Sequence, residues 1–225
     1  MMIGPEGYYE EKLKGKSAAQ IMTAIRSLKR EMNRLKDIIE HPEYQCMIHP
    51  SDETQLWCFR LYLARAKEAL AEQGEVYKIT KNEQKALDFA TNIPNISKIN
   101  FHIGGFFGPN TDVSVDIDQA VHIYINEIES PITFPSEDYE EYTKKGFFDS
   151  LKDLHIGEWS KHYDLKKYGV YVLDGTQWEL SIEYKNGRKP FKSGGDNAYP
   201  YNFNRFLELL GLDEELYDDS AEDEE

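Results

Sequence analysis

Three aspartates, Asp112, Asp116 and Asp118, lie at even spacing in the segment TDVSVDID. If this segment is a β-strand, even spacing puts their carboxylates on one outward face. A pair such as Asp116 and Asp118 can hold Mg²⁺, but hydrolytic chemistry also needs a converging lysine or glutamate. No residue at a fixed spacing supplies one. We therefore interpret the three carboxylates as a solvated acidic strand face, which also discourages pairing at a sheet edge.

Two other groups of residues have metal-binding side chains. Cys46 and His49 have the spacing of zinc ligands, with Cys58 nearby, but the sequence has no Cys-x-x-Cys pair to complete a zinc site. Buried thiols without a metal are common. The second group, His155, Glu158 and His162, does not have the His-Glu-x-x-His spacing of zinc proteases. We expect no metal and no cofactor. The alternative is that one of these two groups binds a metal ion.

A compact basic segment follows the last long predicted strand. It contains Asn186-Gly187, which is typical of a type I′ β-hairpin turn, and Pro190, which favours an edge strand. The simplest interpretation is an edge strand protected by lysines. The alternatives are that the segment docks the acidic tail of the same chain, or binds a phosphate-bearing partner with help from two tyrosines. The residues concerned are Lys185, Arg188, Lys189, Lys192, Tyr199 and Tyr201.

The net charge of the chain is −15, and its C-terminal tail supplies much of it. Residues 213–225 hold nine acids and no base, so the other 212 residues carry 26 bases against 32 acids. Such tails are usually disordered and can contact a basic partner. A second acidic cluster lies in the first turn of a helix that we predict over residues 136–154 with an interruption at Gly146. The helix dipole favours acids at that end. Its members are Glu137, Asp138, Glu140 and Glu141.

The composition limits the class of protein. Of the 225 residues, 40% are hydrophobic and 30% are charged, which is typical of a globular chain. No apolar run approaches the ~20 residues of a membrane span, and the N-terminus lacks the apolar region of a signal peptide. With only two cysteines there is no disulfide framework. We expect a cytoplasmic protein that binds neither membranes nor duplex nucleic acid directly, because phosphate neutralisation needs a concentrated basic face.

Two amphipathic helices are predicted in the N-terminal third. The first begins at Ser17, which has capping-box spacing to Gln20, and continues to Ile39 with apolar residues alternately four and three apart. The second begins near Ser51 or Asp52 and ends before Gly74. Its apolar seam is Leu56, Phe59, Leu63, Ala66 and Leu70, with Trp57 and Leu61 on another side and Cys58 off the seam. Matched seams predict an antiparallel helical hairpin, and apolar residues on two sides predict burial on two sides.

The rest of the chain alternates with period two. Segments around Phe101, Val115, Ile123 and Leu180 read as half-buried antiparallel strands, and Thr80 with Glu83 predicts the cap of a short helix. These patterns predict an α+β fold: an N-terminal antiparallel helical hairpin, then an antiparallel-sheet domain with flanking short helices. The predicted domains are residues 1–76, 77–212 and a disordered acidic tail, 213–225.

The segment SGGDNAYPYNF, residues 193–203, predicts a sharp corner between the last strand and a final helix. Gly194 and Gly195 permit positive φ angles, Asn197 can form a turn, and Asn202 can cap the helix. The segments WELSIEYKNG and SGGDNAYPYNFNRFLELLGL resemble a C-terminal module of functionally uncharacterised bacterial proteins. The resemblance covers about 40 residues from Gly175 and implies this architecture, without a catalytic residue.

From charge placement we expect a non-enzymatic protein that acts through protein–protein contacts with a basic partner. Spaced carboxylates can occupy phosphate-binding sites, so the narrower hypothesis is a nucleic-acid-mimicking inhibitor of a basic nucleic-acid-binding protein. The rivals are a metal-dependent hydrolase using Asp116, Asp118 or the His155 to His162 region, and a structural protein that forms homo-oligomers through the helical hairpin.

Overall fold

The computed structural model describes residues 3–46, 48–105, 110–130, 143–172 and 174–212. The chain divides into two compact units, Met1–Ile79 and Thr80–Glu225, and each has a hydrophobic core of its own. None of the helices in the described ranges combines the length and the apolar composition that a membrane span requires.

The N-terminal unit is helical. A short helix α1 (Pro5–Tyr8) continues as a π-helical turn, Tyr9–Leu13, and is followed by α2 (Ala18–Ile39) and α3 (Asp52–Glu72). The end of α3 returns to the start of α2, since the Gln73 side-chain amide donates to the Lys16 carbonyl oxygen over 2.7 Å. The two long helices are therefore antiparallel.

Helix α2 forms as its sequence pattern predicts. Ser17 and Gln20 make the reciprocal bonds of a capping box, which satisfy two backbone N–H groups at the helix start. The spacings of four and three put the apolar residues on one buried stripe. Its buried members are Ile21, Ile25, Leu28, Met32 and Leu35.

Helix α3 buries only part of the predicted stripe, namely Leu56, Ala66 and Leu70. Cys58 and Tyr62 are buried, whereas Phe59 and Leu63 are only half-buried at the margin of the core. The reason is α1, which the sequence analysis missed: its Tyr8 ring stacks on Tyr62 with 4.5 Å between ring centroids. Trp57, on the second side of α3 that we expect to be buried against the rest of the protein or a partner, is 60% exposed; its burial by a partner stays a prediction.

In its described residues, the C-terminal unit contains three α-helices and one seven-stranded sheet of order β4-β3-β2-β1-β6-β7-β5. All neighbouring strands are antiparallel except β5 and β7, so the sheet is mixed. The helices are α4 (Lys81–Asn92), α5 (Lys144–Asp153) and α6 (Phe203–Leu209); the strands are β1 (Ile96–Gly105), β2 (Thr111–Ile117), β3 (Val121–Ile125), β4 (Ile128–Glu129), β5 (Tyr163–Asp164), β6 (Thr176–Tyr184) and β7 (Phe191–Asp196).

One side of this sheet is apolar and is covered by helices. Phe206 of α6 packs edge-on against Phe101 of β1 at 5.3 Å, and Phe203 packs on Trp178 of β6 at 4.9 Å. Phe147 of α5 is fully buried in the same core. The opposite side carries the alternate, polar residues of each strand, as period-two alternation requires. The predicted α+β class is confirmed.

The predicted helix over residues 136–154 is observed from Lys144 to Asp153, with Thr143 as its side-chain cap. It runs through Gly146 without the expected interruption. Residues 136–142 of the prediction lie outside the described residues.

The corner after β7 is built differently from the prediction. Gly194 and Gly195 are ordinary strand residues, and the positive φ of 51° falls on Asn197 instead. Gly195 is required by space, because a Cβ there would lie 2.5 Å from the Ala198 carbonyl oxygen and 2.6 Å from the Trp178 indole nitrogen. Asn202 does not cap α6 with its side chain; its amide oxygen accepts from the Trp159 indole N–H at 2.9 Å.

The connection between β6 and β7 also differs from a type I′ turn. Such a turn needs positive φ at both central residues, but of Asn186 and Gly187 only the glycine has it, at 71°. The connection spans residues 185–190 between the two strands. Strand β7 is not an edge along its whole length, since its end pairs with β5 at Gly195 and Asp196.

Candidate functional site

The side of the sheet opposite the helices, here called the polar face, is the candidate site. Its side chains point outward because each is flanked along its strand by residues that point into the core. The residues of the polar face are Lys98, Asn100, His102, Asp112, Ser114, Asp116, His122, Tyr124, Glu129, Gln177, Glu179, Ser181, Glu183, Lys192, Gly194 and Asp196.

The polar face is negatively charged. It carries six carboxylates, contributed by β2, β4, β6 and β7, against two lysines, which leaves a formal charge of −4 with neutral histidines. Residues far apart in the sequence meet here because β1 pairs with β2 on one side and with β6 on the other. The fold therefore gathers acids from separate segments on one surface.

Strand register arranges charged residues of the polar face in two rows of acid, base and acid. In both rows the base stands on β1, between an acid of β2 and an acid of β6. Residues directly opposite on neighbouring strands have Cβ atoms about 5 Å apart, so their side chains can interact. The rows are Asp112–His102–Glu179 and Asp116–Lys98–Glu183.

In both rows the base bonds to the acid of β2. The His102 ring Nδ1 lies 2.8 Å from Asp112 Oδ1, and the Lys98 ammonium lies 3.2 Å from Asp116 Oδ1. Within the described residues, Glu179 and Glu183 make no hydrogen bond and no ion pair. The β6 side of each row therefore keeps an uncompensated carboxylate exposed to solvent.

A groove of about 560 Å³ lies on the polar face around Glu179. Gly194, directly opposite Glu179 on β7, lines the groove and leaves a gap in the row of side chains. A Cβ at that position would lie 2.8 Å from the Trp178 carbonyl oxygen, so the strand pairing itself demands glycine. Lys192 and Asp196, two residues to either side on β7, line the groove beside this gap.

Histidine and carboxylate pairs border the groove. His102 pairs with Asp112 as described, and on the opposite side the His162 Nε2 atom lies 3.3 Å from Asp196 Oδ2. Lys161 and Glu127 complete the charged lining. These pairs are largely exposed, so they fix the geometry and charge of the groove more than they stabilise the fold.

The acidic residues that we predict as binding residues lie in different parts of the structure. Asp112 and Asp116 lie on the polar face, whereas Asp118 follows the end of β2 in the turn to β3. Its carboxylate accepts the Ala120 N–H over 3.0 Å, and backbone N–H groups of Ala120 and Gln119 lower the pKa of Asp118. Glu137, Asp138, Glu140 and Glu141 lie outside the described residues, as does the tail, 213–225.

The basic residues that we predict as binding residues lie in two places. Lys192 lines the groove, while Lys185, Arg188 and Lys189 lie in the exposed connection between β6 and β7. The Arg188 guanidinium is 5.8 Å from the centre of the Tyr184 ring, a cation–π distance.

The two tyrosines assigned to this basic segment lie at the opposite end of β7. Six strand residues separate the two ends, about 20 Å of extended chain. Tyr199 packs against the Phe203 ring with 4.7 Å between centroids. Tyr201 is buried, and its hydroxyl donates to Glu158 Oε2 over 3.3 Å. Both rings serve the corner before α6, and the fold does not bring them to the basic segment.

The groups that the sequence offers as alternative metal sites do not converge in the described residues. No group of three His, Cys, Asp or Glu residues in the described ranges is arranged to hold a metal ion. Cys58 is buried in the core of the helical unit and Cys46 is exposed. Asp116 bonds to Lys98 and Asp118 to its own turn.

The residues from His155 to His162 are likewise separated in their contacts. His155 takes a left-handed φ of 50° before a 3₁₀ turn, Ile156–Glu158. Glu158 accepts from Tyr201, and His162 pairs with Asp196 at the groove.

The sequence analysis missed the β1 and β6 members of the rows. A signal was present, because Lys98 and His102 alternate with apolar residues in β1, as Glu179 and Glu183 do in β6. Alternation identifies which residues face outward but not which strands are neighbours. The acid–base rows depend on the strand order, which alternation does not contain.

Comparison with known proteins identified no relative of this chain. No protein-family model matches the chain, and neither a curated protein nor a solved structure is significantly similar to it.

Proposed function

We propose that this chain is a binding protein that acts through protein–protein contacts, and that its polar face recognises a basic surface of the partner. One observation carries the proposal: six carboxylates from four strands share one exposed face, and two of them, Glu179 and Glu183, have no partner in the described residues. Complementary charge across an interface favours encounter and fixes the docked register.

The physical basis is the rigidity of the surface. The charges stand on a hydrogen-bonded sheet whose other side is packed with aromatic rings, so their spacing is set before a partner arrives. A preorganised surface loses less conformational entropy on association than a flexible one. The β2 acids already bond to bases of β1, which leaves the β6 acids as the groups with most to gain from a cation.

A narrower form of the proposal is that the partner is a nucleic-acid-binding protein and the chain is its inhibitor. Fixed carboxylates would then occupy sites that otherwise bind phosphate. This form predicts that duplex DNA competes with the chain for the partner. A partner that binds the chain equally well in the presence of excess DNA would exclude mimicry and leave the broader proposal standing.

The experiment compares capture of proteins from a cell lysate by three versions of the chain. In the test variant, Glu179→Gln with Glu183→Gln, two negative charges are removed from the polar face. The matched control, Asp174→Asn with Glu208→Gln, makes the same change of charge at exposed positions off that face. Because Glu179 and Glu183 make no described bond, we expect the test variant to fold normally.

The expected result is a set of basic proteins held by the wild type and the control variant but released from the test variant. Their elution from the wild type should need increasing salt, since screening weakens charge pairing. Recovery of the same proteins on all three versions would contradict the proposal.

A further inference from the structure

We propose that the groove on the polar face is a site for one arginine side chain of the partner, with Glu179 as the carboxylate that binds the guanidinium. This inference rests on the proposed function, and it names the group that the polar face recognises. It follows from the position of Glu179, from the acceptors around it and from the volume of the groove.

Glu179 is an open acceptor of the groove and stands on a strand of the sheet. On one side its neighbour across β1 is His102, whose Nδ1 atom is already engaged with Asp112 at 2.8 Å. On the other side its neighbour is Gly194, which has no side chain that could bond to it. An exposed carboxylate with a free flank can accept two parallel N–H bonds, the geometry that guanidinium offers and ammonium does not.

The next row of the polar face supplies neutral acceptors. It contains Ser114, Asn100 and Ser181, which line the same groove. The Ser114 hydroxyl oxygen is buried and has no hydrogen-bond partner in the described part of the chain. Arginine has five N–H donors in a rigid fork, so one side chain can bond to Glu179 and to a neighbouring oxygen together.

The groove also contains lysines, and these restrict what can bind. Lys161 and Lys192 line it, and neither is within 4.0 Å of a carboxylate among the described residues. Two ammonium groups would repel a run of basic residues, but they suit the carbonyl oxygens or a carboxylate beside a single arginine. A groove volume of about 560 Å³ holds the arginine side chain and leaves room for the residues beside it in an extended segment.

The test uses a minimal probe, N-acetyl-arginine amide, titrated into the full chain and followed by NMR. N-acetyl-citrulline amide is the matched probe, with the same shape but no charge. Glu179→Gln is the test variant. Glu183→Gln is its control, because Glu183 has the same strand, the same face and the same lack of described partners but does not line the groove.

We expect the arginine probe to shift the signals of groove residues in the wild type and in Glu183→Gln. Its affinity for Glu179→Gln should fall about tenfold, the effect of losing one hydrogen bond to a charged group. Lys192→Gln should bind the probe more tightly, because it removes a like charge. The citrulline probe should bind the wild type about as weakly as arginine binds Glu179→Gln.

Equal affinity of the arginine probe for wild type and Glu179→Gln, or equal affinity of the two probes, would overturn the site. Failure of the probe while basic proteins are still captured through the polar face would contradict the arginine site alone. Loss of both results would contradict the proposed function as well.

Discussion

Asn202 shows how one buried polar residue holds separate segments of the C-terminal unit. Its side-chain oxygen accepts from the Trp159 indole N–H over 2.9 Å, and its side-chain nitrogen donates to the Leu154 carbonyl oxygen. Both of these partners are buried. The residue joins the start of α6 to the segment after α5, a role that helix capping would not have required.

Replacing Asn202 by alanine is expected to lower the free energy of unfolding by about 2–4 kcal/mol, because two buried polar groups lose their partners. The measurement is chemical denaturation of the purified variant. Arg205→Ala, at an exposed position of the same helix, is the control and should stay within about 0.5 kcal/mol of the wild type.

Asn202→Asp adds a test by pH. The new carboxylate would keep the bond from Trp159 but face the Leu154 carbonyl, so its pKa in the folded protein should be raised. The protonated form can donate to Leu154 and is favoured by folding. The variant should therefore be least stable at neutral pH and approach the wild type as the pH falls through the raised pKa. A difference in stability that does not change with pH would contradict this account of the site.

Single residues were predicted well where local chemistry decides and poorly where packing decides. The caps at Ser17 and Thr80 follow from local spacing, and both capping boxes form. Gly194 and Gly195 were assigned to positive φ, but their absence of a Cβ serves close approach to a neighbouring strand and to the Ala198 carbonyl. Whether a residue must lack a Cβ depends on which atoms lie opposite it in the folded chain. The spacing of residues in the sequence does not predict this.

At the scale of elements, helix α3 also shows that packing decides which residues are buried. The apolar stripe of α2 was predicted residue by residue, because one clear face is buried. Helix α3 has apolar residues on several faces, and its burial depends on α1, where Leu13 and the Tyr8 ring add to the core. A periodic pattern with more than one apolar face does not fix which face is inside.

The seam between α2 and α3 can be tested at Ala66, whose side chain is fully buried in the helical core. Ala66→Leu should destabilise the helical unit by about 1–3 kcal/mol, because extra methylene groups overpack a filled interface. Ala64→Leu lies two residues earlier in the same helix at an exposed position. It should leave stability within about 0.5 kcal/mol. Denaturation followed by far-UV circular dichroism distinguishes the two, and equal effects would contradict the observed orientation of α3.

At the scale of the sheet, strands could be predicted but their order could not. The alternating apolar residues of β1, β2, β3 and β6 are buried as expected, except Ile125, which is half-buried. That β1 stands between β2 and β6 results from pairing between segments about 80 residues apart in sequence, which alternation cannot specify. The acid–base rows of the polar face were therefore beyond prediction, although their β2 members, Asp112 and Asp116, were identified.

At the scale of the whole molecule, the chain has two hydrophobic cores without a common residue in the described ranges. The core of the helical unit draws on residues 13–70, and that of the sheet unit on residues 89–212. Residues 75–79 between them form neither helix nor strand. A unit with its own core and its own hydrogen-bonded elements can fold by itself.

We expect the fragment 80–225 to fold without the helical unit. Trp159 and Trp178 meet edge to face at 5.9 Å in its core, so near-UV circular dichroism reports their fixed packing. The fragment should keep this signal and unfold cooperatively. Retained far-UV signal with loss of the near-UV signal would indicate a molten core and contradict the expectation.

The bases of β1 have one further effect, on the kinetics of encounter. Lys98 and His102 bond to the β2 acids Asp116 and Asp112, while the β6 acids Glu179 and Glu183 have no partner among the described residues. A surface whose unpaired carboxylates lie on one half exerts a torque on a cationic molecule in solution and turns it before the two touch. This alignment acts over the Debye length, about 8 Å at physiological ionic strength. Removing the β1 bases would therefore change the speed and the angle of collision more than the lifetime of the complex.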